Sequence, residues 1–338
     1  MASAVADRGI ALRPHTKTHK SVSLARIQLD AGARGVTVGT LGEAEVMAGG
    51  GIDDIFIAYP LWVDEGKAGR LRALLERDGL ELAIGVDSTA GAERLARATG
   101  GLRRRPCVLI EADPGNRRTG VAAEEAAAVA RAATNAGLEV RGVFVHGGHA
   151  YGGADAIAGA ARDEVETLAA AVDALFAAGL PARVVSAGSS PTALGAAREP
   201  VNEVRPGTYL LGDRQQVALG ASPPNGVAIC VAATVVSTTV AGQIVIDAGA
   251  KALTKDLPPY LAGYGTMPAY PAGIIERVSD YHGVVTFPDG AARPSLGDIV
   301  AVVPNHACPV VDLYDSFIAT RSGSTTGRWP VDARGRSG

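Results

Sequence analysis

Lys17 lies in the segment Arg13-Pro14-His15-Thr16-Lys17-Thr18-His19-Lys20, where a short apolar strand from Gly9 to Leu12 runs into a basic cluster and then a helix. An amine held at a strand end is placed to attack a carbonyl carbon and form an imine. That role is rare among lysines, most of which solvate a surface turn. Gly188-Ser189-Ser190, followed by Pro191-Thr192 and a helix start, offers hydroxyls and backbone N–H groups that can cradle a phosphate, although the same pattern also serves as an ordinary helix cap. An imine-forming lysine together with a phosphate site implies pyridoxal phosphate. His306 and Cys308 form a His-x-Cys in a segment read as extended, where residues two apart share a face, and imidazole with thiolate suits Zn²⁺.

Such residues need a scaffold, and the spacing of short β-branched runs supplies one. Strands are expected at 10–17, 35–40, 54–59, 82–87, 106–111, 140–146, 183–187 and 203–211, separated by Ala-rich segments of helical period at 22–30, 41–48, 65–77, 92–98, 123–136, 162–178 and 192–197. Eight βα units predict a (β/α)8 TIM-type barrel over residues 1–218, with an open doubly wound sheet as the alternative. Beyond Ser222-Pro223-Pro224-Asn225-Gly226 the helical period fades. A mainly β C-terminal domain over 219–338 is expected, with strands at 228–237, 243–248, 278–285, 299–303 and 313–320.

A barrel of this kind places reactive groups at the C-terminal strand ends. There the sequence reads Lys17 after strand one, Glu111 to Gly120 after strand five, His146-Gly147-Gly148-His149-Ala150-Tyr151 after strand six, Gly188 to Thr192 after strand seven, and Arg205-Pro206-Gly207-Thr208-Tyr209 in strand eight.

Composition bounds the rest. The 338 residues are 47% hydrophobic with a formal net charge of −3 and a pI near 6.1, and the basic residues are scattered apart from Arg103-Arg104-Arg105, so no nucleic-acid footprint is visible. Three cysteines, Cys107, Cys230 and Cys308, are too few for a disulfide framework and fit a reducing, cytoplasmic setting. Cys107 and Cys230 are expected as buried packing inside strands. Met1–Ile10 lacks a basic start followed by an apolar stretch, and the apolar tract 227–246 is interrupted by polar and glycine residues, so strand, turn and strand is expected there rather than a membrane span.

The motifs also carry a resemblance. RPHTKTHK (13–20), GEAEV (42–46), Asp113 to Gly120, HGGHAY (146–151), GSSPT (188–192), EVRPGTY (203–209), DAGAKAL (247–253), DYHG (280–283) and PNHACP (304–309) are similar, in order and over nearly the whole chain, to the fold-type III pyridoxal-phosphate enzymes that include D-threonine aldolase and D-serine dehydratase, distant relatives of alanine racemase. All six histidines, at 15, 19, 146, 149, 282 and 306, fall in these segments. The resemblance implies Lys17 as the cofactor lysine and Arg118 at the phenolic oxygen. It places Ser189, Ser190, Gly207 and Thr208 near the phosphate and Arg205 facing the pyridine nitrogen. It also implies His149 as the base on the substrate hydroxyl, Asp280 as an acid orienting metal-bound water, and His306 with Cys308 as ligands of a divalent metal, Zn²⁺ favoured and Mn²⁺ possible.

The implied activity is that of a lyase on D-β-hydroxy-α-amino acids. A low-specificity D-threonine aldolase is the favoured form and a D-serine dehydratase the alternative; a non-catalytic cofactor carrier, or a racemase using Tyr264, is less expected. A homodimer is implied, with no nucleic-acid or membrane partner. Relatives begin with a strand that joins the second domain, whereas only Met1–Leu12 precede the lysine motif here, so an unpaired edge is expected in the β domain.

Overall fold

The computed structural model describes residues 1–338 and divides into two compact units: residues 1–207 with 316–338, and residues 208–315. In the first unit, β1 (Ala11–Leu12), β2 (Val36–Val38), β3 (Asp54–Pro60), β4 (Glu81–Val86), β5 (Cys107–Glu111), β6 (Glu139–Phe144), β7 (Val184–Ala187) and β8 (Glu203–Val204) pair in parallel, in the order β1-β8-β7-β6-β5-β4-β3-β2. The ends of that order also meet. Thr37 N–H donates to the Pro14 carbonyl at 2.8 Å, Arg34 N–H to the Leu12 carbonyl at 2.8 Å, and His15 and Thr37 form a parallel bridge. The sheet is therefore a closed barrel, and the open doubly wound alternative falls.

Its strands are apolar on both faces, as a sheet covered by helices must be: every residue of β5 is buried. Inside the barrel the Phe56 and Phe144 rings meet edge to face at 5.1 Å. Strands one and eight are shorter than expected because Pro14 and Pro206 have no N–H to continue the ladder, and the chain turns at once into the short 3-10 segments Thr16–Thr18 and Thr208–Leu210. The helix expected over 162–178 starts earlier, spanning Ala156–Ala177. The helix Ala2–Ala6 has no counterpart in the sequence reading.

The second unit holds β9 (Val231–Ser237), β10 (Gln243–Ile246), β11 (Ile274–Val278), β12 (Gly283–Thr286) and β13 (Ile299–Val302) in an antiparallel sheet ordered β11-β12-β10-β9-β13. Alternate residues Val231, Ala233 and Val235 of β9 point into its core with Ile244, Ile246, Val285 and Val300. The 227–246 tract is thus strand, turn and strand, and no helix of the chain is long and apolar enough to cross a membrane.

The compact units divide at 207/208 and 315/316, where the expectation was a division at 218/219. The hairpin β14 (Ser316–Arg321) and β15 (Ser324–Pro330) and the residues after it return to the first unit, where Ala333 N–H donates to the Lys20 carbonyl at 2.9 Å and Asp332 Oδ2 accepts Val22 N–H at 2.8 Å. The stretch 278–285 is a turn at Ser279–His282 between β11 and β12, because the tight hairpin needs polar residues where the apolar period suggested continuity. Cys107 is buried in β5, but Cys230 is exposed just before β9.

Candidate active site

The barrel closes five loops around its C-terminal end. Lys17 sits in the 3-10 turn after β1, with Thr16 and Thr18 buried on either side and its own side chain exposed. Lys20, the other lysine of the turn, is buried and ion-paired to Glu43 at 3.6 Å. His19 is also structural: its Nε2 meets Gln28 Oε1 at 3.0 Å, its Nδ1 accepts Ser21 N–H at 3.1 Å, and burial pushes its pKa down to about 4. The eighth strand's loop presses on the lysine turn. A Cβ at Gly207 would lie 2.8 Å from the His15 carbonyl oxygen and from Thr18 Oγ1, so only glycine lets the two segments approach this closely.

Electrostatic coupling shows which groups share this space. Burial, then the charges of Lys17, Arg118 and Arg205, hold the His146 imidazole well below its ordinary pKa; burial, Lys17 and Arg205 do the same to His15. Both rings are neutral donors or acceptors beside the free amine. Arg118 belongs to a loop shaped by Asp113, whose carboxylate accepts Gly115 N–H at 3.1 Å and Arg117 N–H at 3.0 Å while Arg117 takes a left-handed φ of 53°. Arg118 reaches Glu111 at 3.8 Å, and burial raises the Glu111 carboxyl.

Arg205 is buried. It donates to Ser186 Oγ at 2.5 Å and to the Val145 carbonyl, and its guanidinium lies over the Phe144 and Phe56 rings at 5.3 and 5.8 Å. Ser186 Oγ in turn donates to Glu203 Oε1 at 2.7 Å, and Arg13 Nε donates to Glu203 Oε2 at 2.8 Å, so a continuous polar chain inside the barrel fixes Arg205.

After β7, Gly188 adopts φ +81°, where a Cβ would stand 3.0 Å from Ala193 Cα, and the Ser189 N–H and Oγ both engage Thr192 Oγ1 at 2.8 and 3.0 Å. Ser189 and Ser190 are buried. The helix expected at 192–197 is a single turn, Ala193–Ala196, so an anion held at this bend would meet hydroxyls and a glycine turn rather than a long helix dipole.

After β6, His149 Nε2 meets Asp163 Oδ2 at 3.1 Å, while His149 Nδ1 is buried without a partner. The carboxylate accepts, so Nε2 carries the proton and Nδ1 presents a lone pair. Asp163 was not singled out in the sequence; its only trace was its place in an Ala-rich helix after strand six.

In the second unit, His306 is the N-cap of the helix Ala307–Val311 and Cys308 lies in its first turn, not in the extended segment expected. The pair still meets: burial opposes it, but hydrogen bonds to Cys308 and Asp256 raise the His306 pKa to about 9. Asp256 Oδ2 stands 2.7 Å from His306 Nδ1, and Asp213 Oδ2 accepts Ala307 N–H at 2.8 Å. Thr208 belongs to this unit as well, its Oγ1 3.8 Å from Cys308 Sγ. No group of three or more His, Cys, Asp or Glu side chains that could hold a metal is assembled. Asp280 stands on an exposed turn beside Lys251 at 3.4 Å, and His282 is exposed on the same turn; the carboxylate on His306 is Asp256.

The first unit fits pyridoxal phosphate on its own geometry: a free amine, a glycine approach a Cβ would block, a hydroxyl-lined bend and a fixed guanidinium. In the second, a nitrogen and a sulfur donor side by side fit a divalent cation with open positions.

Residues 1–215 match the family model described as alanine racemase, N-terminal domain, and residues 228–320 match the serine dehydratase domain model. The D-threo-3-hydroxyaspartate dehydratase of Delftia sp. (strain HT23) is 34% identical over 95% of this chain and 90% of its own, and its solved structure superposes with a TM-score of 0.88 at 32% identity over 97% of this chain and 92% of that one. Two further structures of that dehydratase, with TM-scores of 0.89 and 0.88, also 32% identical over 97% of this chain and 89% and 92% of theirs, are a histidine-to-alanine mutant and, two positions on, a cysteine-to-alanine mutant in the metal-free form. The D-threonine aldolase structure from Filomicrobium marinum gives a TM-score of 0.91 at 30% identity over 99% of this chain and 91% of that one. The Arthrobacter sp. D-threonine aldolase is 29% identical over 98% of this chain and 88% of its own. This chain therefore belongs to the alanine racemase N-terminal-domain family, among its pyridoxal-phosphate-dependent lyases.

Proposed function

We propose that this protein is a pyridoxal-phosphate- and divalent-cation-dependent lyase of D-β-hydroxy-α-amino acids, and that its reaction is retro-aldol cleavage to glycine and an aldehyde. The observation that carries the cleavage is His149, whose proton is held on Nε2 by Asp163 and whose buried Nδ1 has no partner. That nitrogen takes the β-hydroxyl proton as the Cα–Cβ bond breaks. Lys17 would hold the cofactor in the resting protein, and the cofactor, once joined to the substrate's amine, would supply an electron sink for charge developing at Cα. Ser189, Ser190, Gly207 and Thr208 are assigned to its phosphate, Arg118 to its phenolic oxygen and Arg205 to its ring nitrogen. A guanidinium there disfavours a second positive charge on that nitrogen and moderates the sink. His306 and Cys308 would hold the cation, with the sulfur favouring Zn²⁺ and Mn²⁺ also accommodated, as a Lewis acid for a substrate oxygen. Asp256 orients His306; Asp280, on its exposed turn, has no such contact to support a role on the cation.

A second reading is β-elimination, in which Lys17 removes the α-proton and hydroxide leaves. His306-x-Cys308 favours it, because histidine and cysteine at this spacing are the residues replaced in the Delftia dehydratase mutants. Product analysis separates the two readings. The protein loaded with pyridoxal phosphate and Zn²⁺ or Mn²⁺ is offered D-threonine, D-serine and D-threo-3-hydroxyaspartate separately. Glycine plus acetaldehyde from D-threonine supports cleavage. A 2-oxo acid plus ammonia from either of the others, with no glycine, supports elimination.

A further inference from the structure

The helix Ala156–Ala177 presents a second carboxylate next to Asp163. Glu164 is fully buried, and its Oε1 accepts two backbone N–H groups, Gly147 at 2.8 Å and Gly188 at 3.2 Å. These glycines begin the loops after β6 and β7, so one side-chain oxygen joins the turn that carries His149 to the bend that carries Ser189 and Ser190. The approach is tight: a Cβ at Gly147 would stand 2.9 Å from Glu164 Cδ. Glu164 Oε2 is buried without a hydrogen-bond partner, and Thr192, the anchor of Ser189, lies beside the carboxyl.

A carboxyl buried in a helix otherwise packed with Ala, Val and Leu is an expensive way to fill space, since an apolar side chain of the same size would carry no desolvation penalty. Its acceptor function must matter, and that function is spent wholly on two loops at the proposed cofactor and base positions. We propose that Glu164 is a positioning residue that sets the spacing between the Gly188–Ser190 bend and the His146–Gly152 turn, and so governs cofactor retention and the placement of His149. The proposal rests on the lyase reading above.

The test compares Glu164→Gln, Glu164→Met and Gly147→Ala with the wild-type chain, reading thermal stability, the dissociation constant of pyridoxal phosphate from its visible absorbance, and kcat separately from KM. Gln keeps an oxygen that can accept both N–H groups; Met fills the space with no acceptor; the Gly147→Ala methyl pushes the carboxyl away from the loop without altering it. Glu164→Met and Gly147→Ala are expected to weaken cofactor binding about tenfold, the effect of losing roughly one such hydrogen bond, and to lower kcat, while Glu164→Gln stays within about threefold of wild type. Should Glu164→Met not fold, Gly147→Ala carries the same reading. Folded Glu164→Met or Gly147→Ala protein with wild-type cofactor affinity and kcat overturns the proposal, as does a Glu164→Gln protein as impaired as Glu164→Met. A wild-type chain that takes up no cofactor sinks the lyase reading and this proposal together, whereas normal wild-type uptake with unaltered variants sinks this proposal alone.

Discussion

Lys20 Nζ lies 3.6 Å from Glu43 Oε1 with both side chains buried, while Lys17, on the same turn, keeps an exposed amine. Two lysines three residues apart therefore have different jobs: one neutralises a buried carboxylate and the other is open to chemistry. Lys17→Ala is expected to abolish the visible absorbance of attached cofactor and all lyase activity with little change in stability. Lys20→Met strands Glu43 without its cation, and should lower stability by about 3 kcal/mol while the absorbance persists in the folded fraction. Absorbance spectra and urea melts on both variants check this. A Lys17→Ala protein that retains the band would remove Lys17 from the mechanism.

The Asp163–His149 contact at 3.1 Å fixes which imidazole nitrogen is available. Asp163→Asn can present its NH₂ to Nε2, which moves the proton to Nδ1 and blocks the base. If His149 acts as the general base, kcat on D-threonine should fall by about 10² or more in Asp163→Asn and in His149→Gln alike, with the visible absorbance of the cofactor unchanged. Equal kcat in the wild type and both variants would favour the elimination reading, which gives His149 no such step.

Asp256 Oδ2 lies 2.7 Å from His306 Nδ1, which leaves Nε2 as the nitrogen to face the proposed cation. A carboxylate behind a ligating imidazole fixes its tautomer and raises its basicity, and removing it ordinarily weakens metal affinity by about 10- to 100-fold. Asp256→Asn should show that loss in a Zn²⁺ titration, His306→Ala and Cys308→Ala should lose the cation altogether, and Asp280→Asn should titrate like the wild type. Unchanged Zn²⁺ affinity in Asp256→Asn would mean that Nδ1, not Nε2, faces the metal or that the pair holds none.

How far these residues could be read from the chain depends on the range of the forces that place them. The barrel was legible because eight β-branched runs are separated by helical periods, and the turns that carry Lys17, His149, Gly188 and His306 were marked by nearby glycines or prolines, whereas the role assigned to His149 came only through the family resemblance. Glu164, Asp163 and Asp256 were not. Each acts on a partner 14 to 50 positions away, and nothing in an Ala-rich helix or a polar loop marks such a contact before the chain folds. The return of residues 316–338 to the first unit was hidden for the same reason, since it depends on contacts such as Ala333 N–H with the Lys20 carbonyl. Asp280 was named only through the family resemblance, and the β11–β12 turn places it beside Lys251.

His19 gives the chain a stability that depends on pH in a known direction. Its Nε2 proton goes to Gln28 and its Nδ1 accepts Ser21 N–H, so the folded chain has room only for the neutral ring, and burial lowers its pKa from 6.5 to about 4. Between those two values the unfolded chain binds a proton that the folded chain refuses, so stability rises with pH across the window and is lost as pH falls from about 6.5 towards 4. The full effect approaches about 3 kcal/mol, with a limiting slope of about 1.4 kcal/mol per pH unit. The raised carboxyls of Glu43, Glu111 and Glu164 act in the opposite sense, which is why the measurement must be a difference. In His19→Asn the side-chain oxygen can still accept Ser21 N–H but does not titrate. The stability advantage of the wild type over His19→Asn, from urea melts at a series of pH values, should be constant above about pH 7 and shrink steadily down to about pH 4. A difference that stays flat across that window would show that folded His19 takes up its proton as readily as the unfolded chain does.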